Sequence, residues 1–213
     1  MNGKWGLITG ATAGIGEATA LLLASRGLNL VLTGRRGDRL EALKARIEVR
    51  YKTSVEIAVC DIQSRTQCEA TLLPILERIG GSVLILVNNA GMARGIEKLQ
   101  DGNEEDWDQM IDTNIKGLLR LTRMVLPRMV SENAGHIVNL GSVAGRWVYP
   151  GGAVYCATKF AVRAISEALR IDLMGTAIRV TNIEPGMVET EFSEVRLGDK
   201  EKAKKVYEGV RAL

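Results

Sequence analysis

The sequence predicts an α/β fold with a doubly wound parallel sheet, strand order 3-2-1-4-5-6, and helices on both faces. Three observations predict it. Short apolar runs alternate with longer amphipathic stretches from residue 5 to about residue 183, the βαβ pattern that builds parallel sheets through right-handed crossovers. The run SVLILV (82–87) is apolar throughout, as a strand covered on both faces should be. A glycine-rich turn after the first run opens straight into a helical stretch, which marks the first strand-to-helix connection of such sheets.

Each element follows in order. WGLIT (5–9) is the first strand, with a helix near 15–26. LNLVLT (28–33) is the second, with a helix near 38–50. SVEIAVC (54–60) is the third, with a helix near 64–79. The fourth strand, 82–87, precedes a long helical region near 104–131. GHIVNLG (135–141) is the fifth, followed by a helix near 153–174, and AIRVTNI (177–183) is the sixth. The tail near 199–209 reads as a charged helix. No composition break or repeat divides the 213 residues, so a single domain, 1–213, is expected.

Composition narrows the function. Hydrophobic residues at 46% and charged residues at 25% describe a globular chain. A net charge of +3 and 4% aromatic residues give no footprint for nucleic acid. The start shows no signal peptide and no run of 18 apolar residues occurs, so no membrane partner is expected. Cys60, Cys68 and Cys156 show neither paired nor metal-ligand spacing, which fits reduced thiols and a cytoplasmic location. His136 is the sole histidine. A histidine-rich zinc site is therefore impossible, and no metal is expected.

In such sheets ligands bind beyond the carboxyl ends of the strands. After the first strand stands TGATAGIG (9–16), where Gly10, Thr12, Ala13, Gly14, Ile15 and Gly16 form a turn opening a helix. Backbone amides there can approach a pyrophosphate, whose charge the helix N-terminus stabilises. No Gly-Lys-Ser/Thr ends the turn, so it is not a Walker loop. After the second strand come Gly34, Arg35 and Arg36, where a dinucleotide site for NAD usually places an acid. A carboxylate repels a 2′-phosphate and a guanidinium binds it, so NADP is the expected cofactor. Asp61 and Ile62 follow the third strand; the carboxylate can accept from an adenine amino group or act only as a helix N-terminal acid. After the fourth strand, NNAG (88–91) offers Asn88, Ala90 and Gly91 as coenzyme-binding candidates; asparagine side chains there can also brace adjacent strand ends, and Gly91 allows close backbone approach.

Ser142 follows the fifth strand, with Tyr155 and Lys159 thirteen and seventeen residues later. On a helix, residues four apart share a face. A free tyrosine titrates near pH ~10, too high for a base at neutrality, and a neighbouring ammonium favours the phenolate. The tyrosine can then exchange a proton with a substrate hydroxyl or carbonyl while Ser142 holds that oxygen. A hydrolase using Ser142 is disfavoured, because Leu140 replaces the first glycine of a G-x-S-x-G elbow. A non-catalytic NADP-binding sensor or scaffold would need no Ser142, Tyr155 and Lys159 set.

TGATAGIG, NNAG, Asn114, Ser142, YCATK (155–159) and PGMVET (185–190) together resemble the short-chain dehydrogenase/reductase family, in its order and over the chain from the first strand to about residue 190. The resemblance implies a Rossmann-like fold and an enzyme acting on CH–OH groups. It implies that Tyr155 is the acid/base and that Lys159 lowers its pKa and holds the nicotinamide ribose. Ser142 positions the substrate oxygen, and Asn114 supports a water relay to Lys159. Pro185, Gly186, Val188 and Thr190 border the nicotinamide end. DTNIKGLL, GRWVYPGGAVYCATK and IEPGMVETEFSEVR are similar, more narrowly, to NADP-dependent 3-hydroxy acid dehydrogenases, including those that oxidise serine. That likeness implies a 3-hydroxy acid substrate, with a ketoreductase on neutral carbonyls as the alternative. A carboxylate needs a cation, for which Arg146 and Arg196 are candidates and Arg94 a third. The family also implies a homodimer or homotetramer through the helices near 104–131 and 153–174. It implies a further strand and helix beyond EGVRAL, so the usual seventh strand is expected to be absent here.

Overall fold

The computed structural model describes residues 3–80 and 82–205. Among these, six strands form one sheet in the order β3-β2-β1-β4-β5-β6, with every neighbouring pair parallel. They are β1 Trp5–Thr9, β2 Asn29–Gly34, β3 Val55–Val59, β4 Val83–Asn88, β5 Gly135–Leu140 and β6 Ile178–Ile183. The predicted fold class and strand order are those observed, with ends displaced by a residue or two.

Alternation along the strands builds a core on each face. Leu7, Val31, Leu86, Ile137 and Val180 point one way, against α3 (Arg65–Arg78), α5 (Leu118–Glu132) and the C-terminal end of α6 (Ala153–Asp172). Their neighbours Ile8, Leu30, Leu32, Val87 and Leu140 point the other way, against α1 (Gly14–Ser25) and α2 (Gly37–Tyr51). Leu7, Ile8, Leu30 and Ile137 are fully buried, and burying each such side chain contributes about 1.5–3 kcal/mol.

The helices begin where local chemistry allows. The Ser64 hydroxyl accepts from the Gln67 amide to cap α3, and Asn103 caps α4 (Glu104–Ile111) ahead of three acids in its first turn. The predicted helix near 104–131 is not continuous. A π-helical turn, Asp112–Gly117, separates α4 from α5, and Asn114 lies within it. Sequence periodicity also passed over a short helix, α7 (Phe192–Leu197), whose six residues are too few to carry a helical repeat. The tail forms α8 (Lys200–Lys205), and the rest of the predicted tail helix lies outside the described residues.

Candidate active site

The glycine turn after β1 is shaped by contact with the ends of β4 and β6. Gly10 (φ +64°) and Gly14 (φ +55°) are left-handed, and a Cβ on them would lie 2.9 Å from Ala90 Cα and from Thr190 Cγ2, respectively. Only glycine satisfies both the torsion and the space. Asn89 Nδ2 donates to the carbonyls of Thr9 (2.8 Å) and Gly10 (3.0 Å), and the Ala90 amide donates to Thr9 Oγ1 at 2.9 Å. NNAG is thus built onto the turn. Ala13 precedes α1 in extended backbone and provides no side-chain cap. Ile15 in the next turn packs against the core, and Gly16 is buried. First-turn amides without a side-chain acceptor suit a phosphate group.

The two predicted arginines diverge. Arg36 lies across the turn, its Nε and a terminal nitrogen donating to Thr12 Oγ1 at 3.2 and 2.8 Å. Its other terminal nitrogen reaches Glu191 Oε2 at 2.7 Å, and Arg39 reaches Glu191 Oε1 at 2.6 Å. Arg35 is more exposed and stands 3.8 Å from Asp61. The Asp61 carboxylate accepts from the Gln63 amide at 3.0 Å, shaping the turn into α3. The Ile62 side chain packs under Gly117 of the π-helical turn, and its carbonyl accepts from Arg120. Asn88 is turned into the core, donating to Thr122 and Asn139, both at 2.9 Å. Its side chain braces β4 against β5 and α5 and is therefore not presented to the coenzyme as the sequence suggested, because the buried partners of strands and helix claim its side-chain amide.

Asn114 joins three elements. Its Oδ1 accepts from the Met92 amide at 2.8 Å, and its Nδ2 donates to the Met92 carbonyl (2.8 Å) and Thr158 Oγ1 (3.0 Å). The loop after β4 is thereby zipped to the π-helical turn and to α6. Gly91 allows close approach, since a Cβ there would sit 3.4 Å from both Asn114 Oδ1 and Lys159 Nζ.

Ser142, Tyr155 and Lys159 meet at the end of β5. Ser142 Oγ accepts from the Ala144 amide at 3.1 Å, opening a 3₁₀ turn. That turn packs on α6, and the Val143 amide donates to the Pro185 carbonyl at 3.1 Å. The Tyr155 phenol is pushed up to about 12 by burial, opposed most strongly by hydrogen bonding with Ser142 and also by the charge of Arg196. Burial pushes Lys159 down to about 8. Its Nζ donates to the Leu140 carbonyl at 2.8 Å and stands 5.8 Å from the Tyr155 ring centroid. In this structure burial therefore dominates the tyrosine, and the lysine's charge does not bring it below its ordinary value.

The far wall comes from the segment after β6. Thr190 rests on Gly14, Gly186 is open, and Val188 lies between them in sequence. Phe192 packs its ring 5.8 Å from that of Tyr155. Arg196 enters the site, donating to the Gly95 carbonyl (3.0 Å) and Tyr149 Oη (3.0 Å), with its guanidinium 5.9 Å from the Tyr155 ring centroid. Arg94 lines a cleft shared with Trp107, Met110 and Tyr155. Its Nε is buried and has no hydrogen-bond partner. Arg146 is directed elsewhere: it pairs with Glu184 in a polar cleft with Arg163 and Arg170. His136 hydrogen-bonds Thr181 within the sheet at 2.8 Å, away from these groups.

Arg39 and Glu191 escaped the sequence reading. Arg39 was detectable in principle, because it stands in the first turn of α2, three residues after the N-cap Arg36. Glu191 was not, because its partners are 152 and 155 residues away. Among the described residues no group of His, Cys, Asp and Glu is arranged to hold a metal.

This arrangement is that of an oxidoreductase with a dinucleotide turn and a tyrosine–lysine pair, and the chain belongs to the short chain dehydrogenase family, whose profile matches residues 4–201. It is 51% identical over 211 residues to the NADP-dependent 3-hydroxy acid dehydrogenase YdfG of Salmonella typhi, covering 97% of this chain and 82% of that protein. It is 46% identical over 198 residues to sulfoacetaldehyde reductase 2 of Chromohalobacter salexigens, covering 92% and 77%. Its structure is similar to the closed form of serine dehydrogenase complexed with NADP+, with a TM-score of 0.92 at 48% identity, covering 98% and 83%.

Proposed function

We propose that this protein is an NADP-dependent dehydrogenase/reductase whose substrate is a small 3-hydroxy acid such as serine, or the corresponding 3-oxo acid. The observation that carries this reading is the convergence of Ser142, Tyr155 and Lys159 beside a cleft lined by Arg94, with the Arg36–Arg39 pair at the coenzyme's other end. The residues fit the coenzyme: the uncapped start of α1 and the glycine turn suit its pyrophosphate, and Arg36 with Thr12 suits its 2′-phosphate. Asp61 and Ile62 border the adenine end, and Ala90, Gly91, Pro185, Gly186, Val188 and Thr190 the nicotinamide end. When bound, the coenzyme supplies the hydride acceptor for oxidation or the hydride donor for reduction.

Tyr155 Oη takes the hydroxyl proton during oxidation and returns it during reduction. Ser142 Oγ hydrogen-bonds the same substrate oxygen and holds it against the phenol. Lys159 holds the coenzyme ribose, and its ammonium stabilises the phenolate once formed. Asn114 holds the Met92 loop and α6 in place and supports the water chain that carries the proton onward. Arg94, which lines the cleft and has an unpartnered Nε, and Arg196, whose guanidinium lies 5.9 Å from the Tyr155 ring centroid, are the two cations beside Tyr155 available to a carboxylate. Arg146, paired with Glu184, does not share that cleft.

We place the reaction in the cytoplasm, since Cys60, Cys68 and Cys156 are all free and buried. No described helix is long and apolar enough to cross a membrane. We also propose one domain that self-associates as a homodimer or homotetramer through α5 and α6, which expose Leu119, Val130 and Phe160. The test of the function is NADPH formation from NADP with a panel of 3-hydroxy acids and neutral secondary alcohols. Turnover confined to the acids supports the reading. Turnover of neutral alcohols alone makes the protein a ketoreductase, and NADP binding without turnover makes it a sensor or scaffold.

A further inference from the structure

We infer that Glu191 is an internal stand-in for the coenzyme's 2′-phosphate: its carboxylate occupies the Arg36–Arg39 pair, and NADP must displace it. This rests on the NADP reading above. Each carboxylate oxygen takes one guanidinium, Oε2 from Arg36 at 2.7 Å and Oε1 from Arg39 at 2.6 Å. Arg36 is simultaneously anchored on Thr12 Oγ1, inside the glycine turn. Two guanidinium groups beside a hydroxyl at the end of β2 are the ligand set a ribose phosphate needs. Here a carboxylate from the segment after β6 already satisfies it.

The placement of Glu191 is not incidental to its chain. Thr190 sits against Gly14 of the turn, and Glu191 precedes α7. The ion pairs thus pin the β6–α7 segment to the arginines that follow β2, where the 2′-phosphate would bind. A phosphate carries more negative charge than a carboxylate and offers three acceptor oxygens, so it can exchange for Glu191. A coenzyme without the 2′-phosphate does not compete for the two arginines and leaves the Glu191 pairs in place. Glu191 therefore acts as a specificity-determining residue by competing with the 2′-phosphate alone: it weakens the phosphorylated coenzyme and so limits how strongly that coenzyme is preferred.

The test uses 2′,5′-ADP and 5′-AMP, which differ in the 2′-phosphate and carry no nicotinamide, so the catalytic end is not involved. Their dissociation constants are measured by calorimetry with the whole chain and with Glu191→Gln. Removing an internal competitor held by exposed ion pairs should tighten 2′,5′-ADP binding about threefold to tenfold. Binding of 5′-AMP should change less than twofold. Unchanged or weaker 2′,5′-ADP binding by Glu191→Gln, while the wild type still prefers 2′,5′-ADP, overturns the stand-in and leaves the NADP reading intact. No preference for 2′,5′-ADP in either the wild type or Glu191→Gln overturns both. If Glu191→Gln fails to fold, Glu191→Asp is used, because its shorter side chain cannot span both guanidinium groups; the same outcomes decide.

Discussion

Lys159 Nζ is held 2.8 Å from the Leu140 carbonyl and 5.8 Å from the centre of the Tyr155 ring, so the end of β5 anchors the ammonium beneath the phenol's ring. Lysine and tyrosine are neighbours on α6, yet burial moves them in opposite directions, the phenol to about 12 and the ammonium to about 8. Both shifts favour the neutral forms, as desolvation requires.

Replacing Tyr155 by Phe removes the proposed proton acceptor and keeps the ring that packs on Phe192. Turnover should fall about 10²- to 10⁴-fold, with melting temperature and NADP affinity nearly unchanged. Because the phenol lies above its ordinary value, its base form is scarce at neutral pH. Alcohol oxidation should therefore accelerate as pH rises from 7 to 10, and carbonyl reduction should not. Initial rates in both directions across that range provide the check.

Lys159→Met should separate stability from activity. The folded-state value near 8 lies below the unfolded value of 10.5, so between them the unfolded chain binds more protons. This group's cost to the fold is full below pH 8 and disappears as pH rises to 10.5, roughly 3 kcal/mol. Methionine fills similar space without the charge. The variant should lose turnover yet melt at a higher temperature than wild type at pH 7, with the difference shrinking by pH 10. An early-melting variant at both pH values would show that the Leu140 hydrogen bond outweighs desolvation.

Asn114→Ala should act first on architecture. It leaves the Met92 amide, the Met92 carbonyl and Thr158 without their shared partner. Three buried hydrogen bonds at about 1 kcal/mol each give a loss of roughly 3 kcal/mol. Denaturant unfolding measures it, and hydrogen exchange should show the Met92 amide losing protection before the strands do.

Arg36→Ala and Arg35→Ala should differ in coenzyme selectivity. Arg36 is anchored on the glycine turn through Thr12, whereas Arg35 has only a long, exposed pairing with Asp61. Loss of charge-assisted hydrogen bonds at Arg36 should weaken NADP about 10- to 100-fold, and loss of Arg35 several-fold less. Binding constants for NADP and NAD with each variant decide between them.

Arg196→Ala tests the cleft. Its guanidinium bonds the Gly95 carbonyl and Tyr149 and lies near Tyr155. If it also binds the substrate carboxylate, KM for 3-hydroxy acids should rise at least tenfold while KM for neutral alcohols changes little. An equal rise for both would mark it as a loop clamp, and Arg94→Ala should then carry the selectivity.

The sequence by itself determined the sheet, its order, and the residues at the strand ends. Strand periodicity and the glycine turn are local signals, written within a few residues, and Ser142, Tyr155 and Lys159 follow β5 at spacings that a single turn and helix bring together. Tertiary structure alone decided how those residues are used. It broke the 104–131 helix at a π-helical turn so that Asn114 could reach Met92 and Thr158. It sent Arg36 to the glycine turn and Arg146 to Glu184, though both are simply arginines after a strand. It also brought Glu191 to Arg36 across 155 positions. Such pairings depend on which strand ends the folded sheet places side by side, and hydrogen bonds and ion pairs act only over a few ångströms. No pattern along the chain encodes them until the sheet has formed.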